Sequence, residues 1–131
     1  MTRGRILVAD DETHIVQVLA LKFRNAGHEV FEAHDGEEAL DLARRMSPDA
    51  IVTDYQMPFM NGAELAEALS KDPALCNVPV MILTARGWGL DETIASIPNI
   101  MHVESKPFSP RGVLTMVEQM IDARKEGRKA A

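Results

Sequence analysis

Asp10, Asp11, Asp54, Thr84 and Lys106 each stand at, or just past, the end of a short apolar run. Arg5-Ile6-Leu7-Val8-Ala9 precedes the two neighbouring acids, Ala50-Ile51-Val52-Thr53 precedes Asp54, and Val78 to Leu83 precedes Thr84. Ile100 to Val103 leads through Glu104-Ser105 to Lys106-Pro107. Ala50 to Thr53 is short and apolar enough to suit a strand buried on both faces, Val78 to Leu83 reads as another buried strand, and the other two runs read as strands. Three carboxylates brought together repel, so either one keeps its proton or a cation neutralises them. An acid-rich oxygen site suits Mg2+, which prefers octahedral geometry, keeps several waters and is often shared between one or two carboxylates and a phosphate. A lysine and a hydroxyl in the same cleft supply a point charge and a hydrogen-bond donor for a phosphoryl group. The set favours phosphoryl transfer to a carboxylate nucleophile.

Taken singly, each residue has an ordinary structural explanation: Asp10 as a helix cap, Asp54 as a cap or turn acid, Thr84 as a β-branched strand residue, Lys106 as a solvated turn charge. Their joint placement at strand ends is what gives them meaning, and that placement depends on the elements between them. From Thr13 to Ala26, Ile15, Val16, Leu19, Leu21 and Phe23 recur at helical intervals, with Gly27 as the stop. His28 to Ala33 reads as a strand, and Asp35-Gly36 punctuates it before a helix over Glu37 to Met46. Tyr55 to Phe59 reads as a loop because of Pro58. Asn61-Gly62 introduces a helix with Ala63, Leu65, Ala66 and Leu69 on one side, stopped by Lys71-Asp72-Pro73. After Thr84, Gly87-Trp88-Gly89 makes a loop and Leu90 to Ile97 a short helix. A final helix runs from Ser109 to about Lys125 with Val113, Leu114, Val117, Met120 and Ile121 on its apolar face.

Five strand-helix pairs with short connections predict an α/β fold, a parallel sheet covered by helices on both faces. Ligands of such open sheets bind at the carboxyl ends of the strands. The polar residues named above would all open on that edge.

The 131 residues, 46% hydrophobic and 26% charged, suit one domain with one core. A net charge of -6 argues against a general nucleic-acid surface. The single cysteine, Cys76, has no internal partner for a disulfide. No apolar run approaches the roughly 20 residues that span a bilayer, and the first residues lack the apolar stretch of a signal peptide, so no membrane association and a cytoplasmic location are expected.

With these motifs in view, the chain resembles the receiver domains of two-component response regulators, over about Arg5 to Lys125. The motifs that carry the resemblance are Val8-Ala9-Asp10-Asp11-Glu12, Asp54 with Met57-Pro58 and Gly62, Leu83-Thr84-Ala85, and Lys106-Pro107-Phe108. The resemblance implies a flavodoxin-like (βα)5 fold, a doubly wound, five-stranded parallel sheet in the order 2-1-3-4-5. It makes Asp54 the acceptor of a phosphoryl group from a sensor histidine kinase or phosphotransfer protein. Asp11, Asp54 and the Gln56 carbonyl would hold Mg2+, and Asp10 would act mainly through a metal-bound water. Lys106 would pair with the phosphoryl oxygens, Thr84 would donate its hydroxyl and Ala85 its backbone N–H. It also implies a cis Lys106-Pro107 bond, a downstream protein target, a monomer or weak homodimer, and no direct contact with nucleic acid. Such a domain takes part in phosphoryl transfer and slow self-dephosphorylation and is not a turnover enzyme. Residues 1–125 would form the receiver and 126–131 a short tail, with no output domain.

The sequence departs from the family pattern where signalling is concerned. Three residues before the lysine, receivers commonly carry a Tyr or Phe that swings inward; here the position holds Val103, followed by Glu104. The expectation is that the signal runs through the loop after Thr84 and the short helix that follows. His102 is more readily a packed or solvated strand residue than a second acceptor. A flavodoxin-like cofactor protein would need a Ser/Thr/Gly-rich phosphate loop where Asp10-Asp11-Glu12 repels anions. A phosphatase would need an acid or base near the nucleophile, a role to which Gln56 is poorly suited. A module that is never phosphorylated would have no use for the complete set of five residues.

Overall fold

The computed structural model describes residues 3–85, 94 and 96–130, with side chains described as far as Glu126. Five strands, β1 (Arg5–Ala9), β2 (Glu29–Ala33), β3 (Ala50–Asp54), β4 (Val80–Thr84) and β5 (Ile100–Ser105), form one parallel sheet in the order β2-β1-β3-β4-β5. The described helices are α1 (Thr13–Asn25), α2 (Gly36–Met46), α3 (Gly62–Ser70) and α4 (Pro110–Ala130). No helix among the described residues is long and apolar enough to cross a membrane.

Two apolar clusters follow from the two-residue period of the strands. Ile6 and Val8 of β1 point to the face covered by Val16, Leu19 and Phe23 of α1 and Val113, Val117 and Ile121 of α4. Leu7 and Ala9 point to the other face, against Ala39 and Ala43 of α2 and Leu65, Ala66 and Leu69 of α3. β3 and β4 are buried along their whole length, as expected for central strands covered on both sides. The starts of α2 and α3 are fixed locally. The Asp35 carboxylate accepts the Glu38 N–H at 2.8 Å, and Asn61 and Glu64 form a reciprocal capping box at α3.

Several boundaries differ from the sequence expectation. β4 begins at Val80 rather than Val78, after Pro79, which has no N–H for a ladder. β5 runs two residues beyond Val103, because Glu104 and Ser105 continue the pairing opposite Leu83 and Thr84. That extension carries the chain to the level of Thr84 just before Lys106. α4 continues to Ala130 instead of ending near Lys125; Glu126, Arg128, Lys129 and Ala130 all have good helix propensity, and Gly127 alone does not end it. Leu21, expected on the apolar side of α1, is 62% exposed, and the buried stripe is Val16, Leu19, Ala20 and Phe23. The expected Gly87-Trp88-Gly89 loop and five of the eight residues of the expected Leu90 to Ile97 helix lie outside the described residues.

Candidate functional site

Strand register brings the polar residues to one edge. Ala9 is level with Thr53, so Asp10 and Asp54 follow side by side as β1 and β3 end. Asp54 is level with Leu83, which places Thr84 one step further, and Thr84 is level with Ser105, the residue before Lys106. The Lys106 N–H donates to the Thr84 carbonyl at 2.9 Å, and the Lys106-Pro107 peptide is cis. Asp10 and Asp54 are buried and Asp11 is exposed, and each offers a carboxylate oxygen that lies within 4.8 Å of the other two.

One ammonium faces this group. Lys106 Nζ is 3.3 Å from Asp10 Oδ2, 3.2 Å from Asp54 Oδ1 and 3.6 Å from Glu12 Oε1. Asp10 Oδ1 also accepts the Glu12 N–H at 2.9 Å. Burial pushes the Asp10 carboxyl up to about 6; the Glu12 N–H opposes this, the Asp54 charge adds to it, and Lys106 again opposes it. Burial likewise raises Asp54, with Lys106 pulling the other way and Asp11 adding to the rise. Burial works against the Lys106 ammonium, but the Asp54 and Asp10 carboxylates outweigh it and its proton is held more firmly. Among the described residues Lys106 alone brings a positive charge to these carboxylates, which leaves them under-neutralised there. An all-oxygen donor set with excess negative charge is the chemistry that a hard divalent cation satisfies.

The loop after Asp54 is held by close backbone packing. The Tyr55 N–H donates to Leu83 and the Gly62 N–H donates back to Tyr55, each at 2.8 Å. A Cβ at Gly62 would lie 2.5 Å from the Asp54 carbonyl oxygen, and one at Gly36 would fall on the Met60 carbonyl. Beside the acids, Asp11, Tyr55, Gln56, Met57, Pro58 and Asn61 line a hollow of about 460 Å³.

A family model for the response regulator receiver domain matches residues 6–118. The chain belongs to this family. It is 35% identical over 117 residues to the alkaline phosphatase synthesis transcriptional regulatory protein PhoP of Bacillus subtilis, a match covering 89% of the chain and 48% of PhoP. It is 30% identical over 121 residues to the phosphate regulon transcriptional regulatory protein PhoB of Pseudomonas aeruginosa, covering 92% of the chain and 53% of that protein. The chain therefore spans about half the length of these curated relatives. Among solved structures, the receiver domain of the Francisella response regulator 1452 superimposes with a TM-score of 0.82 at 33% identity, covering 92% of this chain and 98% of that one. The chemotaxis response regulator CheY4 of Vibrio cholerae gives 0.83 at 28% identity, covering 91% and 99%.

In this receiver, Thr84 is the buried last residue of β4, and Ala85 follows it exposed. Gln56 is exposed in the loop and lines the hollow with Asp11. Val103 is half-buried and packs against the cluster that faces α2 and α3. His102 Nε2 lies 3.0 Å from Glu104 Oε2, a pairing between two partly exposed side chains of β5. Glu12, named in the sequence only as part of the Asp10-Asp11-Glu12 run and given no role of its own, contributes a third carboxylate to Lys106. Its place directly after Asp10-Asp11 was the available signal.

The sign of the Asp10 shift gives a stability prediction for the metal-free receiver. A carboxyl raised from 3.8 to about 6 on folding adds no penalty below the unfolded value and its full penalty above the folded one. Stability should therefore fall as pH rises from about 4 to 6, by about 3 kcal/mol from this group. Asp10→Asn keeps an acceptor for the Glu12 N–H and removes the buried charge. In urea unfolding at pH 7 with EDTA, it should be more stable than the wild type by about 2 kcal/mol. The two proteins should converge near pH 4.

Proposed function

We propose that this receiver accepts a phosphoryl group on Asp54 in a Mg2+-dependent reaction and thereby switches its binding to a protein target. The observation that carries the reading is the buried Asp54 carboxylate set among two further acids and the Lys106 ammonium at one sheet edge. An Asp54 oxygen attacks the phosphorus of a phosphohistidine, the O–P bond forming as the N–P bond breaks. The leaving imidazole takes up a proton. Asp11 and Asp54, with the Gln56 carbonyl, would hold Mg2+, and Asp10 would reach it through a water; the ion supplies charge neutralisation at the phosphoryl oxygens. Lys106 exchanges a carboxylate oxygen for a phosphoryl oxygen. Thr84 donates its hydroxyl and Ala85 its N–H to the same group.

The phosphoryl group can shift the receiver between states only by as much as it prefers one of them. With Val103 in place of a ring, that preference acts through Thr84 and the segment after it, on the face near β4 and β5. The donor is a sensor histidine kinase or phosphotransfer protein, and the domain spans residues 1–125. Gln56 offers no acid or base two residues after Asp54, so loss of the phosphoryl group is slow self-dephosphorylation rather than enzymatic turnover.

Incubation with acetyl phosphate and Mg2+, read by intact mass, tests the reading. One phosphoryl group per chain is expected, and none when EDTA replaces the metal. An equal gain in EDTA, or no gain with Mg2+, would overturn it.

A further inference from the structure

Phe59 is 80% exposed and belongs to neither apolar cluster. Its backbone has φ 71°, and the Met60 N–H donates to the Pro58 carbonyl at 2.8 Å. Pro58-Phe59-Met60 is therefore a γ-turn of the positive-φ kind, the rare and strained form. A phenylalanine at positive φ is uncommon, and such strain gathers at ligand clamps and active sites. The turn is pinned on both sides. Met60 sits against Gly36 at the start of α2, and Gly62 closes on the Asp54 carbonyl. Pro58, just before the ring, and Asn61, two residues after it, line the hollow together with Asp11.

Strain plus an exposed ring costs stability without adding to the core. What the arrangement provides is a fixed apolar projection beside the acid cluster. Asp54 is only 6% exposed, so a protein donor must bring its phosphohistidine down into the cleft and lay its own surface over the rim. On the phospho-acceptor reading given above, we propose that Phe59 is an apolar anchor for the phosphodonor protein, seated in a recess on the domain that carries the phosphohistidine. A target that senses phosphorylation needs a surface that changes, whereas a donor needs one that does not. A turn pinned by two glycine contacts suits the donor.

The test uses Phe59→Gly, which removes the ring and suits the positive φ, and Phe59→Leu, which keeps an apolar side chain. Autophosphorylated cytoplasmic domains of the sensor kinases of the source genome serve as donors, with acetyl phosphate as a donor that makes no protein contact. For the kinase that transfers fastest to the wild type, Phe59→Gly should lower the transfer rate at sub-saturating receiver by about tenfold or more, through KM. Phe59→Leu should recover most of it. Both variants should take phosphoryl from acetyl phosphate at the wild-type rate and unfold at or above the wild-type midpoint. Equal kinase transfer to wild type and Phe59→Gly would overturn the proposal, as would a panel in which no kinase serves the wild type. Loss of self-association in Phe59→Gly with kinase transfer unchanged would assign the ring to a second copy of the chain instead. Failure of the wild type with acetyl phosphate would count against the Asp54 reading itself.

Discussion

Asp54→Ala is expected to gain no phosphoryl mass from acetyl phosphate and Mg2+ under conditions in which the wild type gains one group per chain. Three carboxylates share the cleft, and their surroundings separate their roles. Asp10 has both oxygens engaged, Oδ1 by the Glu12 N–H and Oδ2 by Lys106. Asp11 is exposed, its carboxylate open to water. Asp54 lies at the end of a central strand, between Asp10 on β1 and the Thr84 edge of β4. It is the acid whose bound phosphoryl group would be within reach of both Lys106 and Thr84. Donors placed where charge develops contribute most when they are fixed in advance, and both of these are held by strand pairing. An undiminished mass gain in Asp54→Ala would mean that another acid is the nucleophile.

Gly62→Ala should cost about 3 kcal/mol of stability, a large share of what a domain of this size possesses. The added methyl would meet the Asp54 carbonyl at 2.5 Å and the Tyr55 Cα and Thr53 Cγ2 at 3.2 Å. Two of these neighbours are backbone at the end of a buried strand, so no flexible side chain can give way. Gly36→Ala meets the Met60 carbonyl in the same manner. Gly112→Ala is the contrast: within α4 its Cβ finds only Ser109, 3.5 Å away. That variant should gain up to about 1 kcal/mol from helix propensity. Urea unfolding midpoints measure all three. A Gly62→Ala midpoint equal to the wild type would show that the loop after Asp54 is not held by this contact.

β1, β3 and β4 and the acids and threonine that end them were legible because burial on both faces leaves a short, unbroken apolar signature, whereas β5, which leads to Lys106, has no buried residue. The strand order came from the resemblance, since periodicity cannot say which strands are neighbours. Leu21 shows the limit of reading a helical face: Leu21 and Leu19 both fit a loose apolar pattern, and only packing against the sheet buries one and leaves the other in water. The end of β5 was set by pairing with β4, which no local signal in Glu104-Ser105 announces. Glu12 and Phe59 were given no role from the sequence. For Glu12 the acid run was visible but its distance to Lys106 was not, and for Phe59 the significance lies in a backbone φ that residue type does not announce.

The identity of the phosphorylated residue tests the account most directly. Borohydride reduction converts an aspartyl phosphate to homoserine, which peptide fragmentation locates in the chain. After reaction of the wild-type receiver with acetyl phosphate and Mg2+, homoserine is predicted at position 54 and nowhere else. Homoserine at position 10 or 11, or none in a protein whose mass had risen by a phosphoryl group, would contradict the assignment of Asp54 as the acceptor.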